Sequence, residues 1–157
     1  MNKKLKKMLG FDRPKISAFV LMIVVATHFA FPRYVVATES MVPTIPKGSY
    51  VVTIHEDLLR SEPKKGDIVV FAPVKGVSPY PWMHRVIGLE NEVFNPFTRK
   101  GRVDIDDAYT VTQKTDIETI PEGYIYQSGD SDRSYYGLVI KELIRGKVLF
   151  HFELPWK

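Results

Sequence analysis

The pattern of apolar and polar positions divides the chain in two. From Ile16 to Pro32 there is no Asp, Glu, Lys or Arg, and Ala18-Phe19-Val20-Leu21-Met22-Ile23-Val24-Val25-Ala26 is a continuous apolar run. A helix rising ~1.5 Å per residue needs about 20 apolar residues to cross ~30 Å of hydrocarbon, so this run lies at the short end of the spanning range. Lys15 and Arg33 can snorkel at its two ends. Beyond Arg33 the pattern changes to short runs rich in Val, Ile, Tyr and Phe between Gly, Pro and Asp punctuation: Ser49–Ile54, Asp67–Phe71, Met83–Gly88, Tyr124–Gln127 and Lys147–Phe152. These predict strands, and several short strands in succession predict a mostly β domain, a barrel or a sandwich. Short helices are expected at His55–Arg60 and Lys141–Arg145. Residues 91–120, with few clear apolar patterns and the cluster Arg99-Lys100-Gly101-Arg102, are expected to form a variable hairpin or small insertion.

Charge gives the apolar run its direction. Residues 1–15 carry Lys3, Lys4, Lys6, Lys7, Arg13 and Lys15 against Asp12, whereas the whole chain has a net charge of only +4. The basic character therefore belongs to a tail and not to the domain, which argues against a nucleic-acid-binding face. Basic residues dense before an apolar run and sparse after it predict a cytoplasmic tail (1–15), a transmembrane anchor (16–33) and an extracytoplasmic β domain (34–157), in a single-pass plasma (inner) membrane protein touching lipid. A cleaved secretory signal shares the basic-then-apolar signature, and Val35-Val36-Ala37 offers a cleavable position. His28, near the outer end of the run, is expected at the interface.

Composition narrows the chemistry. With 157 residues, 45% of them hydrophobic and 25% charged, the chain fits one globular domain. The absence of cysteine excludes a thiol nucleophile, thiolate-ligated zinc, an iron–sulfur cluster and disulfides. His55-Glu56 begins like a zinc-binding helix but is followed at the required spacing by Leu59, so no metal is expected, and no phosphate loop or dinucleotide fingerprint implies a cofactor. Thr38-Glu39-Ser40-Met41-Val42-Pro43-Thr44 places a serine directly after the apolar run on a turn stiffened by proline, which by itself is as compatible with a capping or turn serine as with a nucleophile.

The segment Ser40-Met41-Val42-Pro43-Thr44 resembles the nucleophile box of the type I signal peptidases, membrane-bound serine endopeptidases. Four further segments resemble that family in its order: Lys65–Phe71, His84–Leu89, Ile120–Tyr124 leading into Gly129-Asp130, and Asp132–Val139, with Ile144-Arg145-Gly146-Lys147 closing the match. The resemblance implies a signal-peptidase-like β-barrel or coiled sheet behind one N-terminal transmembrane helix. It also implies cleavage of signal peptides from exported preproteins, with small residues at the −1 and −3 positions. Two departures stand out. His84 occupies the position where the bacterial members have a lysine base, as in the endoplasmic-reticulum and archaeal members, and Gly129–Ser134 is shorter than usual with Arg133-Ser134 in reversed order.

In that frame Ser40 is the expected nucleophile and His84 the general base, since an imidazole with a pKa near ~6.5 can accept the serine proton around neutrality. An aspartate on the other ring nitrogen is expected, Asp132 by its spacing to Tyr135-Tyr136-Gly137 or else Asp130. Thr38 and the Ser40 amide are expected to form the oxyanion hole. Met41, Pro81, Trp82 and Met83 are expected to contact substrate, the last three as part of a strand that pairs with an extended peptide. For each there is a structural alternative: His84 as a buried hydrogen-bonded residue, the aspartates as turn carboxylates, Trp82 as core. Two other functions stay open, a specialised peptidase maturing a pilin or a conjugation-system component, and a catalytically silent subunit that binds signal peptides or assembles a membrane complex; secretion or conjugation machinery is an expected partner. Lys75 is the alternative base.

Overall fold

A computed structural model describes residues 14–59, 62–72, 79–93, 104–105, 111–112 and 119–153. The apolar run forms helix α1 (Pro14–Ala30), and its large side chains point outward on all sides, with Phe19, Leu21, Met22 and Phe29 each more than half exposed. The Thr27 hydroxyl turns back on the carbonyls of Ile23 and Val24. The helix stops three residues short of the expected Arg33 boundary because Pro32 has no amide hydrogen to donate and disfavours helix before it. Arg33 instead begins strand β1 (Arg33–Val35). Among the described residues no helix is long and apolar enough to cross a membrane.

The rest is one nine-stranded sheet: β2 (Tyr50–His55), β3 (Ile68–Phe71), β4 (Trp82–Gly88), β5 (Asp104–Ile105), β6 (Val111–Thr112), β7 (Tyr124–Ser128), β8 (Tyr136–Ile140) and β9 (Ile144–Phe152) join β1 in the order β1-β2-β9-β3-β4-β7-β8-β5-β6. All pairings are antiparallel except β5 with β8. Register shifts at Val52/Thr53, Val70/Phe71 and Val86/Gly88 bend and coil the sheet, as inserted residues do. The five expected strands are present with edges moved by at most three residues. Strands β1 and β8 were not among the expected runs. The two expected helices are single 3-10 turns, Glu56–Leu58 and Lys141–Leu143; His55 caps the first by accepting a hydrogen bond from the Asp57 amide, and the second buries Leu143. Most of 91–120 lies outside the described residues, as does Lys75.

Strand β4, the fifth of nine, is flanked by β3 and β7, and alternate residues His84, Val86 and Gly88 face inward. Val86 packs with Val69, Phe71, Ile125, Val139 and Ile144. Burying a side chain such as Phe71 contributes about 1.5–3 kcal/mol, so the wall carrying His84 is among the firmest parts of the molecule. A separate cluster of Val36, Met41, Ile45 and Val51 lies under the loop between β1 and β2. These two clusters fix the two sides of the site.

Candidate active site

The serine turn is held from beneath. Met41 and Ile45 are completely buried, the Ile45 amide bonds to the Met41 carbonyl, and Val36 exchanges hydrogen bonds with Ser49 and Gly48. The flanking residue Ser40 stays half-buried, facing a cleft. Its Oγ lies 3.2 Å from Oγ1 of Thr38, the hydroxyl expected to serve the oxyanion hole. Met41, expected to contact substrate, is instead core: an unbranched apolar side chain fills the gap beneath the turn and none of it lines the cleft.

His84 is 3% exposed and makes two hydrogen bonds. Nδ1 meets the Oε1 carbonyl of Gln127, so Nδ1 carries the proton and donates it. Nε2 is left as an acceptor, 3.3 Å from the Ser134 hydroxyl. The edges of Phe71 and Trp82 lie against the ring. Burial pushes the imidazole down to about 4, against the opposing pull of the Gln127 hydrogen bond and the Asp130 charge. His84 is therefore neutral at physiological pH, with a lone pair on Nε2 toward Ser134.

Asp130 does other work than expected. Asp130 forms a two-pronged ion pair with Arg85, at 2.8 Å from Nε and 2.6 Å from Nη2, and Arg85 also donates to the Gly66 carbonyl. Burial raises the Asp130 carboxyl, but hydrogen bonds from Arg85 and Thr44 and the guanidinium charge bring it below its ordinary value. Its charge acts on His84 through space. Asp132 is exposed in the turn at 131–134. That turn is short enough to bring Ser134, rather than an aspartate, against the ring.

Three segments enclose a cleft of about 620 Å³: Tyr34–Ser40, Tyr80–His84 with Val70, and Ser131 with Arg133–Tyr135. Pro81, Trp82 and Met83 line it as expected of residues that meet an extended chain. Strand β7 pairs with β4 only from Arg85 onward, so β7 leaves that edge of Trp82–His84 open toward the cleft. Trp82 stacks on Tyr135 at 5.3 Å. The turns carrying Ser40 and Ser134 touch: the Ser131 amide donates to the Ser40 carbonyl at 3.0 Å, and a Cβ on Gly129 would overlap the Ser134 hydroxyl and lie 2.5 Å from the Ser40 carbonyl. Only glycine fits there.

Gln127, Gly129 and Ser134 are thus site residues that the sequence reading passed over as site residues. A polar residue inside the run Tyr124-Ile125-Tyr126-Gln127 was the available signal for the first, and the reversed Arg133-Ser134 for the last. As for metals, His55, Glu56 and Asp57 are close enough to share an ion, but none of the three lines this cleft.

Comparison with known proteins adds an independent line. Residues 14–109, which include both Ser40 and His84, match the family described as signal peptidase, peptidase S26. The chain is similar to a protein named signal peptidase I from Bacillus caldolyticus, 28% identical over 161 residues and covering 85% of this chain and 87% of that one. It is also similar to a probable signal peptidase I-1 from Synechocystis, 27% identical over 152 residues and covering 86% and 77%.

Proposed function

The chain belongs to the signal peptidase family, peptidase S26, and from that premise we propose that it is a serine endopeptidase that removes signal peptides from exported preproteins, with Ser40 as nucleophile and His84 as general base. The observation that carries this reading is that Ser40 and a neutral, buried His84 share one cleft, with the Thr38 hydroxyl 3.2 Å from Ser40 Oγ. Ser40 Oγ attacks the scissile carbonyl and its proton passes to Nε2 of His84. That proton then goes to the leaving amine, and water releases the acyl group by the same route. Thr38 and the Ser40 amide stabilise the oxyanion. Ser134, on Nε2 in the resting site, holds the ring until substrate brings Ser40 and the base together.

An extended peptide fits along the open edge of Trp82–His84 and the stretch before Ser40, adding a strand by main-chain hydrogen bonds. Small residues at −1 and −3 suit a site narrowed by Trp82, Met83 and Tyr135. Neither Asp130 nor Asp132 is needed on the ring; Asp130 steadies Arg85, the neighbour of the base. The outward apolar face of α1 suits a membrane anchor with the basic tail in the cytoplasm and the β domain outside.

The test is cleavage of a peptide carrying an Ala-x-Ala site by the wild type, Ser40→Ala and His84→Ala, with the fold checked by circular dichroism. Loss of cleavage in both variants is the expected result. Cleavage that survives His84→Ala removes the base assignment, and cleavage that survives Ser40→Ala removes the nucleophile.

A further inference from the structure

We propose that Gln127 is the positioning residue of this site: an uncharged amide occupying, on Nδ1 of His84, the place that a carboxylate holds in a serine–histidine–aspartate triad. This rests on the reading of His84 as the base. Three observations carry it. First, the contact follows from strand register. Gln127 pairs with Val86, two residues from His84 on the same inward face, and a long side chain reaches a diagonal neighbour across an antiparallel pair. On its other side Gln127 pairs with Gly137, so no cross-strand side chain crowds it. Second, Gln127 is fully buried and does not line the cleft, so it has no surface on which to meet substrate. Third, its Nε2 is buried without a hydrogen-bond partner. One end of this buried amide is left unsatisfied, and it is the carbonyl end that is placed on His84.

That orientation decides the chemistry. With Oε1 at Nδ1, the ring must carry its proton on Nδ1 and present Nε2 as a base. With the amide reversed, its N–H would donate to Nδ1, the proton would move to Nε2, and the ring could not accept from a serine. An amide thus fixes the tautomer as an aspartate does, but gives no charge to the imidazolium formed during the reaction. The groups around the ring leave that work to few others. From β3 it meets Val69 as a cross-strand pair and the edge of Phe71; from its own strand, Trp82; from the turn after β7, Ser134. The charged groups on these elements are Asp130, already committed to Arg85 on the same strand, and the exposed Asp132 and Arg133 in the turn; Tyr135 follows them.

The experiment compares the full-length protein in detergent with Gln127→Leu and Gln127→Glu, reading the ¹⁵N shifts of the His84 ring and the pH profiles of kcat and KM. In the wild type the shifts should report the Nδ1–H tautomer. Gln127→Leu should give a mixture of tautomers and lower kcat by roughly 100-fold with KM unchanged, on the scale of the up to about 10⁴-fold cost of a wrong tautomer in serine–histidine enzymes. Gln127→Glu, nearly the same shape, should keep the tautomer and move the acid limb of kcat to higher pH, because a carboxylate favours the charged ring. If Gln127→Leu left both the tautomer and kcat as they are, or Gln127→Glu left the acid limb in place, the role would be wrong. Should Gln127→Leu not fold, the Gln127→Glu profile decides alone. A tautomer that follows residue 127 while His84→Ala still cleaves would mean that the base assignment had failed and not the positioning.

Discussion

At His84, burial opposes a charge on the ring more strongly than Gln127 and Asp130 favour it, so the imidazole titrates at about 4. A base works unprotonated. Cleavage is therefore expected to rise with pH through about 4 and stay level into the neutral range, in contrast to the alkaline limb of a lysine base, and a kcat profile from pH 3 to 9 checks it. The same shift sets a stability dependence. The fold prefers neutral His84, while the unfolded chain binds a proton below ~6.5, so this contribution is complete above pH 6.5 and is lost as pH falls to about 4. The loss should be about 3 kcal/mol, seen as the difference in urea midpoints between the wild type and His84→Gln at pH 7 and pH 4. The two serines should separate as well. Ser40→Ala is expected to abolish cleavage, whereas Ser134→Ala should lower kcat by roughly 10- to 100-fold, the scale of a general-base contribution weakened but not removed.

Elements matter here through the turns they bring together. The turn after β1 and the turn after β7 approach at Gly129 so closely that a Cβ would meet both the Ser134 hydroxyl and the Ser40 carbonyl. Gly129→Ala is expected to lower stability by about 1–3 kcal/mol, the usual cost of overpacking, and to depress kcat more than Ser134→Ala does, since it displaces two site residues at once. Met41→Ala tests the turn from the other side. Emptying a fully buried methionine should cost about 2–5 kcal/mol by thermal or urea unfolding, with any effect on cleavage arising from a loosened Ser40 rather than a lost substrate contact. The strands were legible because runs rich in Val, Ile, Tyr and Phe stand between Gly, Pro and Asp. Strand β8 was harder, since Gly137 interrupts Tyr136–Ile140 and weakens the strand signal. Strand β1 is only three residues, too short to alternate.

For the whole molecule, the β domain is built from non-local pairings, while α1 keeps its apolar surface outward. A helix that presents Phe19, Leu21 and Met22 to its surroundings is unfavourable in water and favourable in lipid. On the proposed reading of α1 as an anchor, Val24→Arg should move the protein from a carbonate-resistant membrane fraction toward the supernatant, since a basic residue at a helix centre costs roughly 2.5–3.5 kcal/mol of insertion. Glu122→Arg, at an exposed residue of the β domain, should leave the partition as it is.

What the sequence by itself determined is local: the apolar run, the basic tail before it, the strands rich in Val, Ile, Tyr and Phe, the proline-stiffened Ser40 turn and the histidine in an apolar strand. Each is a property of neighbours along the chain, and each carries its physical meaning in the pattern of side chains alone. What only the tertiary structure decided is which groups meet. Gln127 is 43 positions from His84 and Ser134 is 50, and they reach it through the register of β4 against β7 and the sharpness of one turn. No period in the sequence encodes a register, and spacing pointed to Asp132, which the turn leaves outside. Burial likewise belongs to the folded molecule, which is why Met41 proved to be a support under the Ser40 turn, and why His84 is held neutral well below the pH at which a free imidazole gains its charge.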